Sequence, residues 1–211
     1  LGEGGYGVVY RGRLGDAAVA LKALKATSHE QEAELEAALL EEAAAWAAVR
    51  HPNVVQCYGL HKEAGGGLYL VSELMDGSVE SLLEEEQERE AEGGEALLTE
   101  RQKLTMVLEA ACALQRLHQL ELLHSALAAR NVLYRRAAGG LTFKVADFGL
   151  ATIGKGAFAS KAGQLIQRRR APVRWCAPEV LRRRLYSEEA EVWSLAVFAW
   201  EVFSLGGVPY G

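Results

Sequence analysis

Glycine spacing opens the chain. Gly2-Glu3-Gly4-Gly5-Tyr6-Gly7-Val8-Val9 reads GxGxxGxV. Glycine lets a backbone turn without a Cβ clash and approach a phosphate closely, so the pattern suits an anionic ligand. Any glycine-rich hairpin matches it too. These glycines lie between strand-forming residues and not before a helix, which disfavours a dinucleotide-binding βαβ unit. Fifteen residues after Gly7, Lys22 ends the run Val19-Ala20-Leu21-Lys22. A lysine buried in an apolar strand needs an anionic partner, whereas an exposed strand lysine needs none. Both readings stand here, with Glu42, nine residues before His51-Pro52-Asn53, as the candidate partner. Further on come Leu123-His124-Ser125-Ala126-Leu127-Ala128-Ala129-Arg130-Asn131 and, sixteen residues after Asn131, Asp147-Phe148-Gly149. Pro172-Val173-Arg174-Trp175-Cys176-Ala177-Pro178-Glu179 and Glu191-Val192-Trp193-Ser194 follow.

Short apolar runs predict strands at Val8–Tyr10, Ala18–Lys22, Val54–Leu60 and Leu68–Leu74, separated by glycine turns. Ala, Glu and Leu dominate from about Ser28 to Val49 and predict a helix that ends at His51-Pro52. From Thr99 to Leu120 the apolar residues Leu104, Val107, Leu108, Ala111, Leu114 and Leu117 recur at helical spacing, with Thr99 as N-cap. Two small strands, Val132–Tyr134 and Phe143–Val145, precede a last helix from about Ser187 to Phe203. Within it Val192, Trp193, Phe198 and Trp200 read as core. Strands plus one helix, then mostly helices, is an α+β plan in two lobes. The expected division is 1–75 and 76–211, with an acidic insertion at about 84–98 read as a helix end and a solvated loop.

The 211 residues are 50% hydrophobic, 24% charged and 8% aromatic, with a net charge of −5, which excludes disorder, collagen and coiled coil. Nine acidic residues and one arginine between Glu80 and Glu100 make a patch of −8. Ten basic and two acidic residues between Lys144 and Tyr186 make one of +8. Such patches bear on partners more than on fold. No apolar stretch is long enough to span a bilayer; the nearest, Val192 to Leu205, is broken by Ser194, Glu201 and Ser204. Cys57, Cys112 and Cys176 are too few and too scattered for a disulfide framework, which fits a reducing compartment. With Leu1 first and a glycine loop at once, the chain reads as a piece of something longer.

Taken together and in order, these motifs resemble the protein kinase family: glycine loop, VAIK lysine, helix C glutamate, catalytic loop, DFG and APE. Ala128-Ala129-Arg130-Asn131 and Pro172-Val173-Arg174-Trp175 resemble its tyrosine-kinase branch. The resemblance implies a bilobal fold with a β-rich small lobe and a larger, mainly helical one, here lacking its last helices. It implies ATP and Mg²⁺ as cofactors. Gly2, Gly4 and Gly7 would then cover the phosphates, and Val9 and Ala20 would pack on adenine, with Leu133 below. Ser72 would be the gatekeeper, and Glu73 and Met75 would offer backbone hydrogen bonds. Lys22, paired with Glu42, would hold the α- and β-phosphates. Asn131 and Asp147 would hold magnesium, and Arg130 would sit near the transferred phosphate.

Four departures qualify this. The family's His-Arg-Asp is His124-Ser125-Ala126, so the residue that accepts the substrate's hydroxyl proton is an alanine. Losing a general base costs ~10²–10⁴ in rate. The phosphate-reading arginine is Ser125, and between Asp147 and Glu179 there is no tyrosine, only Thr152 and Ser160 among hydroxyl residues. Glu191 and Ala196 stand where the family has aspartate and glycine. Finally, Glu179 would lack its usual arginine partner, and the 211 residues alone are expected to be marginally stable. The resulting expectation is an ATP-binding tyrosine-kinase-type domain with impaired or absent transfer, acting as a switch or scaffold. The alternative is an active tyrosine kinase. Partners would be ATP and a protein, which the Arg168-Arg169-Arg170 run would make acidic if that run docks it; no nucleic acid or membrane span is expected. The expected location is the cytoplasm or the cytoplasmic side of a membrane protein.

Overall fold

The computed structural model describes residues 2–4, 7–23, 40, 43–44, 46–63, 67–147, 152–153 and 173–211. Glu42, Phe148, Gly149, the arginine run at 168–170 and most of the helix read over Ser28–Val49 lie outside them. The chain forms two compact units, Leu1–His51 with Val55–Met75, and Pro52–Val54 with Asp76–Gly211.

The first unit is a five-stranded antiparallel sheet. Its strands are β1 (Gly2–Gly4), β2 (Gly7–Leu14), β3 (Ala17–Ala23), β4 (Cys57–Lys62) and β5 (Leu68–Glu73), in the order β1-β2-β3-β5-β4. A two-residue turn joins β2 to β3, with Gly15 at φ 59°, a conformation a β-carbon disfavours. Val54, read as the start of a strand, instead bridges Val145 in the second unit. Val19, Val49, Val55, Cys57 and Trp46 are buried. The Trp46 indole satisfies its one donor on Val55 O at 2.7 Å, as a buried N–H must. Residues 40, 43–44 and 46–48 are helical.

The second unit is mainly helical. It contains β6 (Gly77–Ser78), α1 (Val79–Ala91), α2 (Glu100–Gln119), β7 (Leu122–Leu123), β8 (Val132–Ala137), β9 (Gly140–Val145), β10 (Thr152–Ile153), α3 (Pro178–Arg183) and α4 (Glu188–Phe203). β6-β8-β9 form one antiparallel sheet, and β10 pairs with β7. Gly77 lets β6 approach β8: a Cβ there would stand 2.8 Å from the Tyr134 ring. Local chemistry starts the helices. Ser78 with Ser81 and Thr99 with Gln102 form reciprocal capping boxes, and Ser187 accepts the Ala190 amide.

Met106, Ala110, Ala113 and Leu117 of α2 are buried, as are Val197, Phe198 and Val202 of α4. Of the four α4 residues read as core only Phe198 is; Val192 is 61%, Trp193 41% and Trp200 47% exposed. The reason is phase: at 3.6 residues per turn, the face carrying Ala190, Val197, Phe198 and Val202 points in, and 192, 193 and 200 cannot share it. The acidic run is also less solvated than its composition suggests. Glu86 is fully buried and accepts the amides of Leu97 (2.6 Å) and Leu98 (3.4 Å), tying down the loop after α1. No helix among the described residues is long and apolar enough to cross a membrane.

Candidate active site

In the first unit, register decides which side chains share a face. Val9 pairs with Lys22, and Lys22 with Leu70; Ala20 pairs with Ser72, and Ser72 with Cys57. Because side chains alternate along a strand, Val9, Ala20, Lys22, Leu70 and Ser72 all lie on one face of the sheet. Gly2 sits opposite Val9 and Gly4 opposite Gly7, so the glycine motif is a β-hairpin in register with the lysine strand. Cys57, on that same face, has its Sγ 3.9 Å from Ala43 O. The lysine face is thus the one that carries Cys57 toward Ala43; position 42 lies outside the described residues. At the end of β5, Glu73 donates its amide to Gln56 O (2.8 Å) while its carboxylate accepts the Gln56 amide (3.2 Å). Met75 is buried.

In the second unit, β7 leads into the loop of His124-Ser125-Ala126. His124 is fully buried; its Nε2 lies 2.7 Å from Ala146 O, and its Nδ1 accepts the Ala126 amide at 3.2 Å. A single tautomer, protonated on Nε2, serves both contacts. Asn131 closes the other side. Its side-chain amide donates to Ala126 O (2.7 Å), which leaves Oδ1 as the atom it can present to a cation. The Asn131 carbonyl accepts the Ala146 amide at 2.8 Å. Ala146 is therefore held from both sides, and the residue after it, half-buried Asp147 at φ 61°, starts beside Asn131. Ala126 keeps both backbone hydrogen bonds and is 3% exposed. What the position lacks is a carboxylate. Leu133, half-buried on β8, pairs with Ser78.

Arg130 lies in the 3-10 turn Ala129–Asn131, with its guanidinium 4.5 Å from the centre of the Trp175 ring. Trp175 donates its indole N–H to Glu201 Oε2 (2.6 Å), and the Ala129 amide donates to the same oxygen (3.1 Å). Burial pushes the Glu201 carboxyl up from its ordinary pKa, and the bonds from Trp175 and Ala129 and the charge of Arg130 pull it back. Burial likewise raises Glu80 on α1, again against Arg130.

Ser125 combines a left-handed backbone with an orphaned side chain. Its φ is 64°, and its Oγ is buried with no hydrogen-bond partner among the described residues. A left-handed non-glycine residue costs of order 1–3 kcal/mol and a buried orphan hydroxyl roughly 1–3 more. Against this, the Ser125 amide donates to Glu191 Oε1 at 2.5 Å, a charge-assisted bond of the order of 1.5–3 kcal/mol. The cost is at least as large as what this one bond returns, so the bond alone does not offset the strain of the loop. Glu191 is itself 4% exposed and turns Oε2 to His118 Nε2 at 2.7 Å. That hydrogen bond raises the His118 pKa, partial burial opposes it, and the charges of Glu191, Glu188 and Glu189 add to the rise.

Sequence reasoning named Lys22, Arg130, Asn131, Asp147 and Ala126 but missed Glu201, Trp175 and His118 as supports. A single carboxylate in the apolar stretch 192–203, as Glu201 is, was the one usable signal, because buried charges are paired.

Comparison with known proteins gives the family. The model of the family "protein tyrosine and serine/threonine kinase" matches residues 1–211, so the chain belongs to that family. It is a protein kinase domain of the tyrosine kinase type. Over its whole length it is 35% identical to megakaryocyte-associated tyrosine-protein kinase of Mus musculus, covering 37% of that protein. It is 34% identical to the tyrosine-protein kinase transforming protein Fps of Fujinami sarcoma virus, covering 22% of it, and 32% identical to tyrosine-protein kinase Fer of Mus musculus, covering 24%. The chain thus spans well under half the length of these relatives.

Proposed function

We propose that this domain binds ATP with magnesium and transfers the γ-phosphate poorly or not at all, acting as a signalling switch or scaffold. The observation that carries the reading is position 126. Its backbone contacts to His124 and Asn131 are intact, while its side chain is a methyl group. The donor chemistry fits the cofactors. Asn131 offers an amide oxygen and Asp147 a carboxylate, and magnesium is commonly held by one or two such groups plus the substrate's phosphates and water. When bound, magnesium would neutralise charge developing on the phosphates. Lys22 would meet the phosphates, Gly2, Gly4 and Gly7 would let backbone approach them, and Val9, Ala20 and Leu133 would pack on the base. Glu73 and Met75 would supply backbone contacts to its edge, and Glu42 would pair with Lys22.

Without a carboxylate at 126, nothing at that position can orient the acceptor hydroxyl or take its proton. Positioning and metal charge supply most of phosphoryl-transfer catalysis, so a slow residual rate is compatible with this reading. A protein partner is implied by the scaffold role, and the +8 patch between Lys144 and Tyr186 favours an acidic one. The test is thermal unfolding with and without ATP and magnesium. The expected result is a higher Tm with both present, by mass action on the native state, and none with Asp147→Ala. No shift in the unmutated domain would refute nucleotide binding.

A further inference from the structure

The left-handed turn at Ser125 is fastened through a titratable group on another helix. One carboxylate, Glu191 on α4, accepts the Ser125 amide on Oε1 (2.5 Å) and faces His118 of α2 on Oε2 (2.7 Å). The second imidazole nitrogen, Nδ1, lies 3.9 Å from Glu188 Oε2, so both nitrogens point at carboxylates. This is an arrangement that suits a doubly protonated ring. We propose that His118 is a positioning residue of the catalytic loop, acting through Glu191 on the Ser125 amide, and that its protonation sets how firmly the loop is held. Its bearing on catalysis rests on the phosphotransfer reading; its structural content does not.

The charges acting on His118 all come from α4: Glu191, Glu188 and Glu189. On its own helix, Arg116 is turned to Gln119 Oε1 (3.4 Å). From β9, which also packs on α2, the Phe143 amide is taken by Glu109 (2.6 Å). A groove of about 460 Å³, lined by Ala111, Leu114, Gln115, His118, Glu188 and Val192 among others, gives the imidazole access to protons from solvent. With His118 charged, the buried carboxylate has a countercharge and stays under Ser125. With His118 neutral, a desolvated carboxylate is drawn toward water through that groove and its grip on the amide loosens. Because the folded pKa is raised, the hold is complete below about pH 6.5 and fades as pH rises through the folded value.

The test is NMR on the natural protein carrying this domain, labelled with ¹⁵N-serine and ¹⁵N-histidine and studied without nucleotide. Ser125→Ala assigns the Ser125 signal by its disappearance. The Ser125 amide shift should titrate with the same midpoint as the His118 ring, above about 6.5, the ordinary histidine value. Its hydrogen-exchange protection, corrected for intrinsic rate, should fall about tenfold per unit of pKa elevation across that step. His118→Gln, which keeps a donor but cannot carry the countercharge, should abolish the step and leave Ser125 protection at the lower level that the unmutated protein shows at high pH. A flat Ser125 signal while His118 titrates would overturn the proposal, as would a step that survives His118→Gln. Should that variant fail to fold, the coincidence or separation of the two midpoints in the unmutated protein decides alone. Since no nucleotide is present, a failure here is distinct from a failure to bind ATP.

Discussion

Two loops of the helical unit are held by buried glutamates, and the difference between them separates structure from function. Glu86 accepts two successive amides, Leu97 and Leu98. The loop it holds leads into a regular capping box at Thr99. Glu191 accepts a single amide, Ser125, from a residue with a left-handed backbone and an orphaned hydroxyl, and shares its charge with His118. The first is a fastening whose strength is set once by burial. The second balances a strained segment against a bond whose partner can lose its charge. Strain of this kind is found where geometry must be exact for chemistry or binding.

The widest expected gap between the two comes from deletion. Glu191→Ala should destabilise by about 3–5 kcal/mol, because it leaves His118 and the Ser125 amide without their shared partner in a buried site. Glu86→Ala should cost less, about 1.5–3 kcal/mol, the range for charge-assisted bonds, and should not alter nucleotide affinity. Urea unfolding with matched m-values checks both, and an equal loss in the two variants would erase the distinction. Smaller again, Trp175→Phe should cost about 1–2 kcal/mol, since it removes one bond to Glu201 but keeps a ring under Arg130. The smallest effect is on pH. Between pH 6 and 8.5 stability should decline in the unmutated chain and in Glu86→Ala, but not in His118→Gln, because a raised histidine pKa contributes stability that is lost as pH rises.

The elements that can be read from sequence are those whose causes are local. Thr99 and Ser187 cap helices through residues three positions away, so they are visible without a fold. The motif glycines, Lys22, Asn131 and Asp147 are legible because their order and spacing are distinctive. Phase on α4 was not legible. That helix is apolar on most sides, so composition could not say that Phe198 points inward while Val192 and Trp200 do not. Nor was Glu86, one acid in a run of five between Glu84 and Glu90 whose burial depends on a loop eleven residues on. His118 and Glu191 are 73 residues apart, and only the packing of α2 on α4 brings them together.

The account stands most directly on Ala126. The measurement is magnesium-dependent phosphate transfer from ATP to a tyrosine peptide, by the unmutated domain and by Ala126→Asp, at saturating nucleotide. Restoring the base is expected to raise the rate by about 10²–10⁴ with ATP affinity little changed. An unmutated domain that already turns over at about 1 s⁻¹ or faster, within the ordinary kinase range, would contradict it.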